Sequence, residues 1–182
     1  METTNNLDLT KLNLGGGLTT LEGFTNVDKY KSEKTDLVVD LEVYPWPFPT
    51  SSVKDTVLRH VLEHIKEPIP FMNELYRILE PGGRVQYRGP HSRSQGAWQD
   101  PTHVRPIPEE FFLYFTKRFR HENVIVYSGI NTDFTLDGPY YCLDSEYEKK
   151  RADGLTDEQL MYDVRHLNNV VSELCWILTA IK

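Results

Sequence analysis

The sequence predicts a single α/β domain with a mostly parallel β-sheet, an antiparallel C-terminal strand and helices on both faces, in three α/β/α layers. Three observations support this class. The chain of 182 residues fits one compact domain. Short apolar runs in its first half close on Gly or Asp, which is typical of buried parallel strands. A helical pattern then stops at Pro81-Gly-Gly83 and another apolar run follows, which is the order of a strand–helix–strand crossover.

The first half of the chain predicts five strands and one helix. The strands are assigned from their apolar runs to residues 11–14, 25–28, 37–41, 53–60 and 84–88. The helix is assigned to residues 70–79, because apolar side chains recur there at helical spacing and Pro70 suits a first turn. Its apolar positions are Phe71, Leu75, Ile78 and Leu79.

The second half is less regular in pattern. Apolar content predicts a helix over 109–119, a strand over 124–127 and a last strand over 175–181. Residues 131–154 are rich in Gly, Asp, Tyr and charge, and we interpret them as an irregular insertion. Thr156-Asp-Glu-Gln159 matches a capping box, which predicts a helix running toward Leu167. Residues 1–182 are therefore treated as one domain, with a core over 11–120 and an insertion and helix over 131–168.

Composition and charge exclude several classes of protein. The 27 Asp and Glu exceed the 20 Lys and Arg, and a net charge of −7 disfavours binding to nucleic acid. No apolar stretch is long enough for a bilayer span, and the first residues lack a signal-peptide pattern. Cys142 and Cys175 show no CxxC spacing, so we expect neither a disulfide framework nor a cysteine zinc site. A cytoplasmic protein without membrane or nucleic-acid partners is predicted.

Polar residues at the ends of the first three strands predict a nucleoside pocket. Gly15-Gly-Gly17 follows the first strand and lets backbone approach a ligand closely. Asp28 ends the second strand and can accept both hydroxyls of a ribose. Asp40 ends the third strand and can accept from an exocyclic amine, while the Leu41 amide can donate to a ring nitrogen. Each position alone is also explained by a turn or a helix cap, and the prediction depends on their combination.

Several motifs together resemble those of class I S-adenosylmethionine-dependent methyltransferases, in the small branch near the quinone-biosynthesis enzymes. They are Leu12-Asn-Leu-Gly-Gly-Gly17, Asn26-Val-Asp28, Val39-Asp-Leu-Glu42, Pro45-Trp-Pro-Phe-Pro49, His60-Val-Leu-Glu-His64 and Glu74-Leu-Tyr-Arg-Ile-Leu-Glu-Pro-Gly-Gly83. The resemblance covers about residues 11–120. It implies a Rossmann-like fold and S-adenosyl-L-methionine as cofactor. The residues that it implies for the cofactor site are Asn13, Gly15, Gly16, Gly17, Asp28, Asp40, Leu41 and His60.

The chain departs from this family at three points. Asn13 stands where the family has Asp or Glu, so the charge that would help hold the methionine ammonium is missing. The stretch between Gly17 and Asp28 is too short for the usual full helix, and a turn must replace it. Little chain precedes the first strand, so the site is either open or closed by the insertion or a partner subunit, for which a homodimer is one possibility. A dinucleotide site is disfavoured, because Leu18-Thr-Thr20 breaks the required G-x-G-x-x-G pattern.

A group of histidines predicts where the methyl acceptor binds. Because the carboxyl ends of adjacent parallel strands meet at one edge, His60, His64, His91, Asp100 and His103 are expected to surround a small-molecule acceptor. We call this set the histidine rim. His91 or His103 is the predicted general base for an acceptor hydroxyl, with His64 and Asp100 completing the catalytic set. The alternative is that these are ordinary loop residues. His91, Asp100 and His103 also fit a metal in ligand type, but no predicted helix carries an H-x-x-x-H pair, so no metal is assigned.

The local charge suggests an anionic acceptor. Residues 84–121 hold seven Lys and Arg against three Asp and Glu, although surface arginines explain this equally well. Trp46 and Trp98 could stack on a ring of the acceptor. Together with the resemblance to S-adenosylmethionine-dependent methyltransferases, these features predict in-line methyl transfer to an oxygen or nitrogen of a small molecule. The alternatives are a non-catalytic nucleoside-binding protein that acts through a partner, and a metal-dependent hydrolase that uses the histidine rim.

Overall fold

A computed structural model of the chain describes residues 7–123, 125 and 129–182. It contains one seven-stranded sheet in the order β3-β2-β1-β4-β5-β7-β6. The strands are β1 Lys11–Leu14, β2 Thr25–Asp28, β3 Leu37–Val38, β4 Val53–Arg59, β5 Leu79–Pro90, β6 Phe134–Leu143 and β7 Val171–Ala180. The first five pair in parallel, and β7 pairs antiparallel with both β5 and β6. The predicted mostly parallel sheet with an antiparallel C-terminal strand is confirmed.

Five α-helices and two 3-10 helices accompany the sheet in the described residues. The α-helices are α1 Pro68–Ile78, α2 Gly96–Gln99, α3 Lys117–Glu122, α4 Ser145–Ala152 and α5 Asp157–His166. The 3-10 helices span Leu62–His64 and Glu109–Phe115. α5 begins at the predicted capping box, in which the Thr156 side chain accepts from the Gln159 amide and the Gln159 side chain accepts in return. Every described helix is too short or too polar to cross a lipid bilayer.

The main core lies against one face of the sheet. Val85 and Tyr87 of β5 point into it and are buried together with apolar side chains of α1 and of the 3-10 helix at 109–115. Alternate residues of β5 point the other way, and Arg84, Gln86 and Arg88 are exposed there. This face of β5 is therefore open to solvent. The segments joining β1 to β2 and β2 to β3 are too short for a packed helix and contain none among the described residues.

The connection between β1 and β2 is a turn, as its length predicts. Among the described residues between Leu14 and Thr25 no helix forms, and the Thr19 amide donates to the carbonyl of Gly16. The loop folds back on the outer face of β1, where Asn13 is buried. The side of the sheet formed by β3, β2 and β1 is therefore connected by short loops.

Several sequence predictions are corrected by the structure. The third strand is only two residues long, and the helix expected over 109–119 is a 3-10 helix followed by α3. The segment interpreted as an irregular insertion contains β6 and α4, because its alternating apolar and polar residues pair with β7. This pairing places Cys142 and Cys175 on neighbouring strands, with 4.0 Å between their sulfur atoms. The strand expected over 124–127 lies outside the described residues, apart from Ile125.

Candidate functional site

The glycine triplet forms a tight loop directly after β1, here called the glycine loop (Gly15–Gly17). The amides of Gly15 and Gly16 both donate to the Val27 carbonyl, at 2.8 and 3.2 Å, so the loop is bound to β2. Gly15 has a φ of +66° and Gly17 a φ of +54°, which only glycine adopts without strain. A Cβ on Gly15 would lie 2.5 Å from Val61 Cγ2, just beyond β4. The missing side chains therefore allow the loop to lie close to the ends of β2 and β4.

A pair of buried amides supports the glycine loop from beneath. Asn13 Nδ2 donates to the Thr19 carbonyl at 2.7 Å and to Asn26 Oδ1 at 2.8 Å. Asn26 Nδ2 in turn donates to the carbonyls of Gly17 and Lys34, at 3.1 and 2.7 Å. Both amide hydrogens of each side chain are donated to acceptors inside the protein. Asn13 therefore fixes the conformation of the glycine loop. Sequence analysis missed Asn26, although its position beside Asp28 in the second-strand motif was visible.

Asp28 lies at the end of β2 beside this loop. Its Oδ2 accepts from the Gly17 amide at 2.9 Å and its Oδ1 accepts from the Tyr30 amide at 2.9 Å. Each carboxylate oxygen keeps a lone pair free for a further donor, because such an oxygen accepts about two hydrogen bonds. The carboxylate is thus fixed in orientation and still able to accept hydroxyl groups.

The segment after β3 is held by the half-buried ion pair of Glu74 and Arg77. Asp40 is exposed and Leu41 is buried, and the Trp46 indole donates to the Leu41 carbonyl at 3.2 Å. The Trp46 amide donates to Glu74 Oε1 at 2.6 Å, and Arg77 Nη2 lies 2.7 Å from the same oxygen. Although burial acts to raise it, the Arg77 guanidinium and the Trp46 amide hold the pKa of Glu74 below its ordinary value.

The turn after β4 carries His60, Glu63 and His64. It lies at the carboxyl ends of the parallel strands, as does the glycine loop. His60 has a φ of +53° and its Nε2 lies 2.7 Å from Glu173 Oε1 on β7. The carboxylates of Glu63 and Glu173 raise the pKa of His60 against the effect of burial. Glu63 is only 1% exposed, and neither of its carboxylate oxygens has a hydrogen-bond partner among the described residues. Sequence analysis assigned no role to Glu63.

The loop between β5 and the second 3-10 helix, here called the rim loop (91–107), brings His103 to His64. Their rings lie 4.8 Å apart between centroids in an edge-to-face arrangement. The Val104 amide donates to the Glu63 carbonyl at 2.8 Å, which anchors the loop beside β4. Asp100 Oδ1 accepts from both the amide and the hydroxyl of Thr102, at 2.8 and 2.7 Å, and these bonds lower the pKa of Asp100. Three members of the histidine rim, His64, Asp100 and His103, therefore lie close together.

His91 lies apart from these three and is enclosed. Its side chain is 3% exposed, its Nε2 lies 3.1 Å from Glu109 Oε1 and its Nδ1 accepts from the Arg93 amide at 3.3 Å. Tyr141 donates to the other oxygen of Glu109 at 2.9 Å. The hydrogen bond from His91, opposed by burial and assisted by Tyr141, holds the pKa of Glu109 below its ordinary value. Both ring nitrogens of His91 are used, and sequence analysis missed its partners Glu109 and Tyr141.

The basic residues counted in the sequence lie only partly at the rim, where Arg88 shares Glu173 with His60. Arg84, Arg88 and Arg118 pair with Asp55, Glu173 and Glu122. Arg93 and Arg105 are the two on the rim loop. Trp98 of this loop is 67% exposed, whereas Trp46 is 2% exposed and packs edge-to-face on Phe71. Of the two tryptophans named from the sequence, Trp98 is therefore the one with a free face.

A cavity of about 680 Å³ lies elsewhere, between α3 and the beginning of β6. Its wall includes Leu113, Lys117, His121, Phe134 and Ile181. Phe134 begins β6 and Ile181 follows β7, and both lie near the amino-terminal part of β5. The cavity is therefore at the end of the sheet opposite the carboxyl ends of the parallel strands, where the glycine loop lies. In open α/β sheets ligands bind at the carboxyl ends of the parallel strands, and we therefore do not assign the cofactor to this cavity.

Comparisons with known proteins agree with the geometry. Residues 15–86 match the family model of the methyltransferase domain. No curated protein matches the chain in sequence. An S-adenosylmethionine-dependent methyltransferase from Mesorhizobium loti is a similar solved structure, with a TM-score of 0.57, 12% identity, and coverage of 95% of this chain and 91% of that one. YcgJ from Bacillus subtilis has a TM-score of 0.56 and 13% identity, over 94% and 92% of the two chains. At these identities the structures show a shared fold.

Proposed function

We propose that the chain is a class I, S-adenosylmethionine-dependent methyltransferase that methylates a small molecule bound at the histidine rim, and the match of residues 15–86 to the methyltransferase-domain model supports this. The glycine loop receives the methionine part of the cofactor, Asp28 its ribose, and Asp40 with Leu41 its adenine. Methyl transfer is an in-line displacement, so the protein acts mainly by aligning the acceptor with the methyl group.

The orientation of Asp28 carries this proposal. Gly17 and Tyr30 hold its two oxygens at 2.9 Å each, beside a loop whose side chains are missing. A carboxylate fixed in this way can accept both ribose hydroxyls without rearranging, which limits the entropic cost of binding. Asn13 contributes indirectly, because it fixes the loop through Thr19 and Asn26.

The acceptor is proposed to be a flat molecule with a hydroxyl or amino group. His64, His103 and Asp100 lie at the edge where its reactive atom would sit, and the exposed face of Trp98 could stack on its ring. Arg93 and Arg105 of the rim loop would favour a carboxylate or phosphate on it. A screen of acceptors with and without an anionic group, using methyl-labelled cofactor, checks this preference. Equal rates for charged and uncharged analogues would contradict it.

Calorimetric titration with S-adenosylmethionine and with its demethylated product tests the cofactor site. A hydrogen bond to a charged acceptor contributes about 1.5–3 kcal/mol, and Asp28→Ala removes at least one of them, so we expect binding to weaken by at least about tenfold. Asp55→Ala is the matched control, because Asp55 pairs with Arg84 near the opposite end of β4. Circular dichroism checks that both variants fold.

Two outcomes would contradict the proposal at different levels. Unchanged affinity of Asp28→Ala means that the ribose lies elsewhere. Failure of the parent protein to bind either ligand at millimolar concentration means that the chain does not use this cofactor. A protein that binds the cofactor yet transfers no methyl group to any metabolite pool would instead fit a nucleoside-binding partner protein.

A further inference from the structure

We propose that Glu63, His64 and His103 form a binding site for a divalent transition metal of the zinc type. One ring nitrogen from each histidine and one carboxylate oxygen of Glu63 lie within 4.8 Å of one another. The three residues come from two segments, the turn after β4 and the rim loop, which the Val104–Glu63 backbone hydrogen bond holds together. This set differs from the one that sequence spacing suggested, since His91 is enclosed by Glu109.

The tautomers of both histidines suit metal binding. His103 Nδ1 lies 3.1 Å from the Ala97 carbonyl, which can only accept, so this nitrogen carries the hydrogen. His64 Nδ1 lies 3.3 Å from the Thr102 carbonyl and 3.1 Å from its hydroxyl. That hydroxyl donates to Asp100, so it can only accept from His64. Each ring therefore has its Nε2 lone pair free, and a backbone carbonyl fixes the other nitrogen, as is usual for metal-binding histidines.

The carboxylate of Glu63 supplies an independent observation. It is 1% exposed, and neither oxygen has a hydrogen-bond partner within the described part of the chain. His60 Nδ1 lies 3.4 Å from Oε1, so a protonated His60 offsets part of the charge of Glu63, but this contact is not a hydrogen bond. A buried carboxylate that receives no hydrogen bond is costly, and such groups in proteins are usually fully paired or bound to a metal. A cation between Glu63 and the two histidines would satisfy it.

The donor set indicates the class of metal. Two imidazoles and one carboxylate with an open position are the ligands of catalytic zinc sites, whereas magnesium and calcium prefer oxygen ligands. Zinc–nitrogen bonds of about 2.0–2.1 Å require ligand atoms closer than the present separations, so the side chains must close by about 1 Å on binding. His103 Nε2 lies 3.9 Å from Asp100 Oδ2, which places a further carboxylate at the edge of the site. This assignment rests on the proposed function only in that His64 and His103 also lie where the acceptor is proposed to bind.

Titration with Co²⁺ after chelator treatment tests the site, because the visible absorption of Co²⁺ reports coordination and needs neither cofactor nor turnover. We expect one Co²⁺ per chain, competed by Zn²⁺, and affinity at least tenfold weaker in His64→Ala, His103→Ala and Glu63→Gln. His121→Ala is the matched control, because His121 is an exposed histidine on α3. Glu63→Gln keeps the shape of the side chain, so it separates loss of a ligand from loss of folding.

Three results would overturn the proposal. One is the absence of saturable binding to the parent protein at micromolar Co²⁺. Another is binding by Glu63→Gln that equals binding by the parent. The third is a loss in His121→Ala as large as in His103→Ala, which would indicate adventitious binding to surface histidines. Failure to bind S-adenosylmethionine would contradict the proposed function and would leave the metal titration unaffected.

Discussion

The glycine loop and the histidine rim lie at the same edge of the sheet, but their buried polar groups differ in how far the protein satisfies them. At the glycine loop, Asn13 and Asn26 use all their amide hydrogens on each other and on backbone carbonyls. At the rim, the buried carboxylate of Glu63 has no hydrogen-bond partner among the described residues. The first region is therefore preformed, whereas the second is completed by a ligand.

The largest loss of stability is expected from Asn26→Ala. The substitution leaves an Asn13 hydrogen and the carbonyls of Gly17 and Lys34 without their partner. The buried Asn13 hydrogen left without a partner costs about 1–3 kcal/mol, the two partly buried carbonyls cost less, and the cavity adds to the loss, so we expect a total of about 4 kcal/mol in the free energy of unfolding. Urea denaturation measures it, with Asn123→Ala as control, because Asn123 is exposed. A loss below about 1 kcal/mol would mean that the loop does not depend on this network.

Gly16→Ala and Gly17→Ala separate steric fit from backbone strain in the glycine loop. A Cβ on Gly16 would lie 1.9 Å from Asn26 Oδ1 and 2.2 Å from Asn13 Nδ2. We expect a loss of about 3 kcal/mol, from overpacking and from broken hydrogen bonds. On Gly17 the nearest atom would be 4.0 Å away, so only the positive φ matters, at about 1 kcal/mol. Equal losses in the two variants, measured by urea denaturation, would contradict this account of the loop.

Glu74→Gln is expected to change the free energy of unfolding less than the substitutions above, and the size of the change depends on pH. Because the folded protein holds the pKa of Glu74 below its ordinary value of 4.5, the ionised form contributes stability above that pH. That contribution disappears as the pH falls through the lower pKa of the folded state. The variant should therefore lose less stability than the parent on acidification below about pH 4.5. Thermal unfolding across this range measures it, with the exposed Glu158→Gln as control, and parallel profiles would count against the role of the ion pair.

The sequence predicted the elements whose pattern is local. β1 and β2 lie at the expected residues, and the helix after Thr156 begins at its capping box. β6 was missed, because its pairing with β7 is a long-range contact that charged and Gly-Pro positions obscure. His64 and His103 were named, but their meeting depends on a hydrogen bond between Val104 and Glu63 that no spacing rule contains. Glu63 is proposed as a ligand because its carboxylate is buried. Burial depends on the whole fold and cannot be inferred from the local sequence.

The difference between the preformed glycine loop and the incomplete histidine rim is tested most directly by one measurement. It is the free energy of unfolding of Glu63→Gln in the presence of a chelator. If the rim is incomplete without its ligand, replacing the Glu63 carboxylate, which receives no hydrogen bond from the described residues, by a neutral amide removes a buried charge. We predict that the variant unfolds at a higher urea concentration than the parent, the opposite sign to every substitution in the glycine loop. A variant less stable than the parent would show that Glu63 is already satisfied in the fold, and would contradict the account.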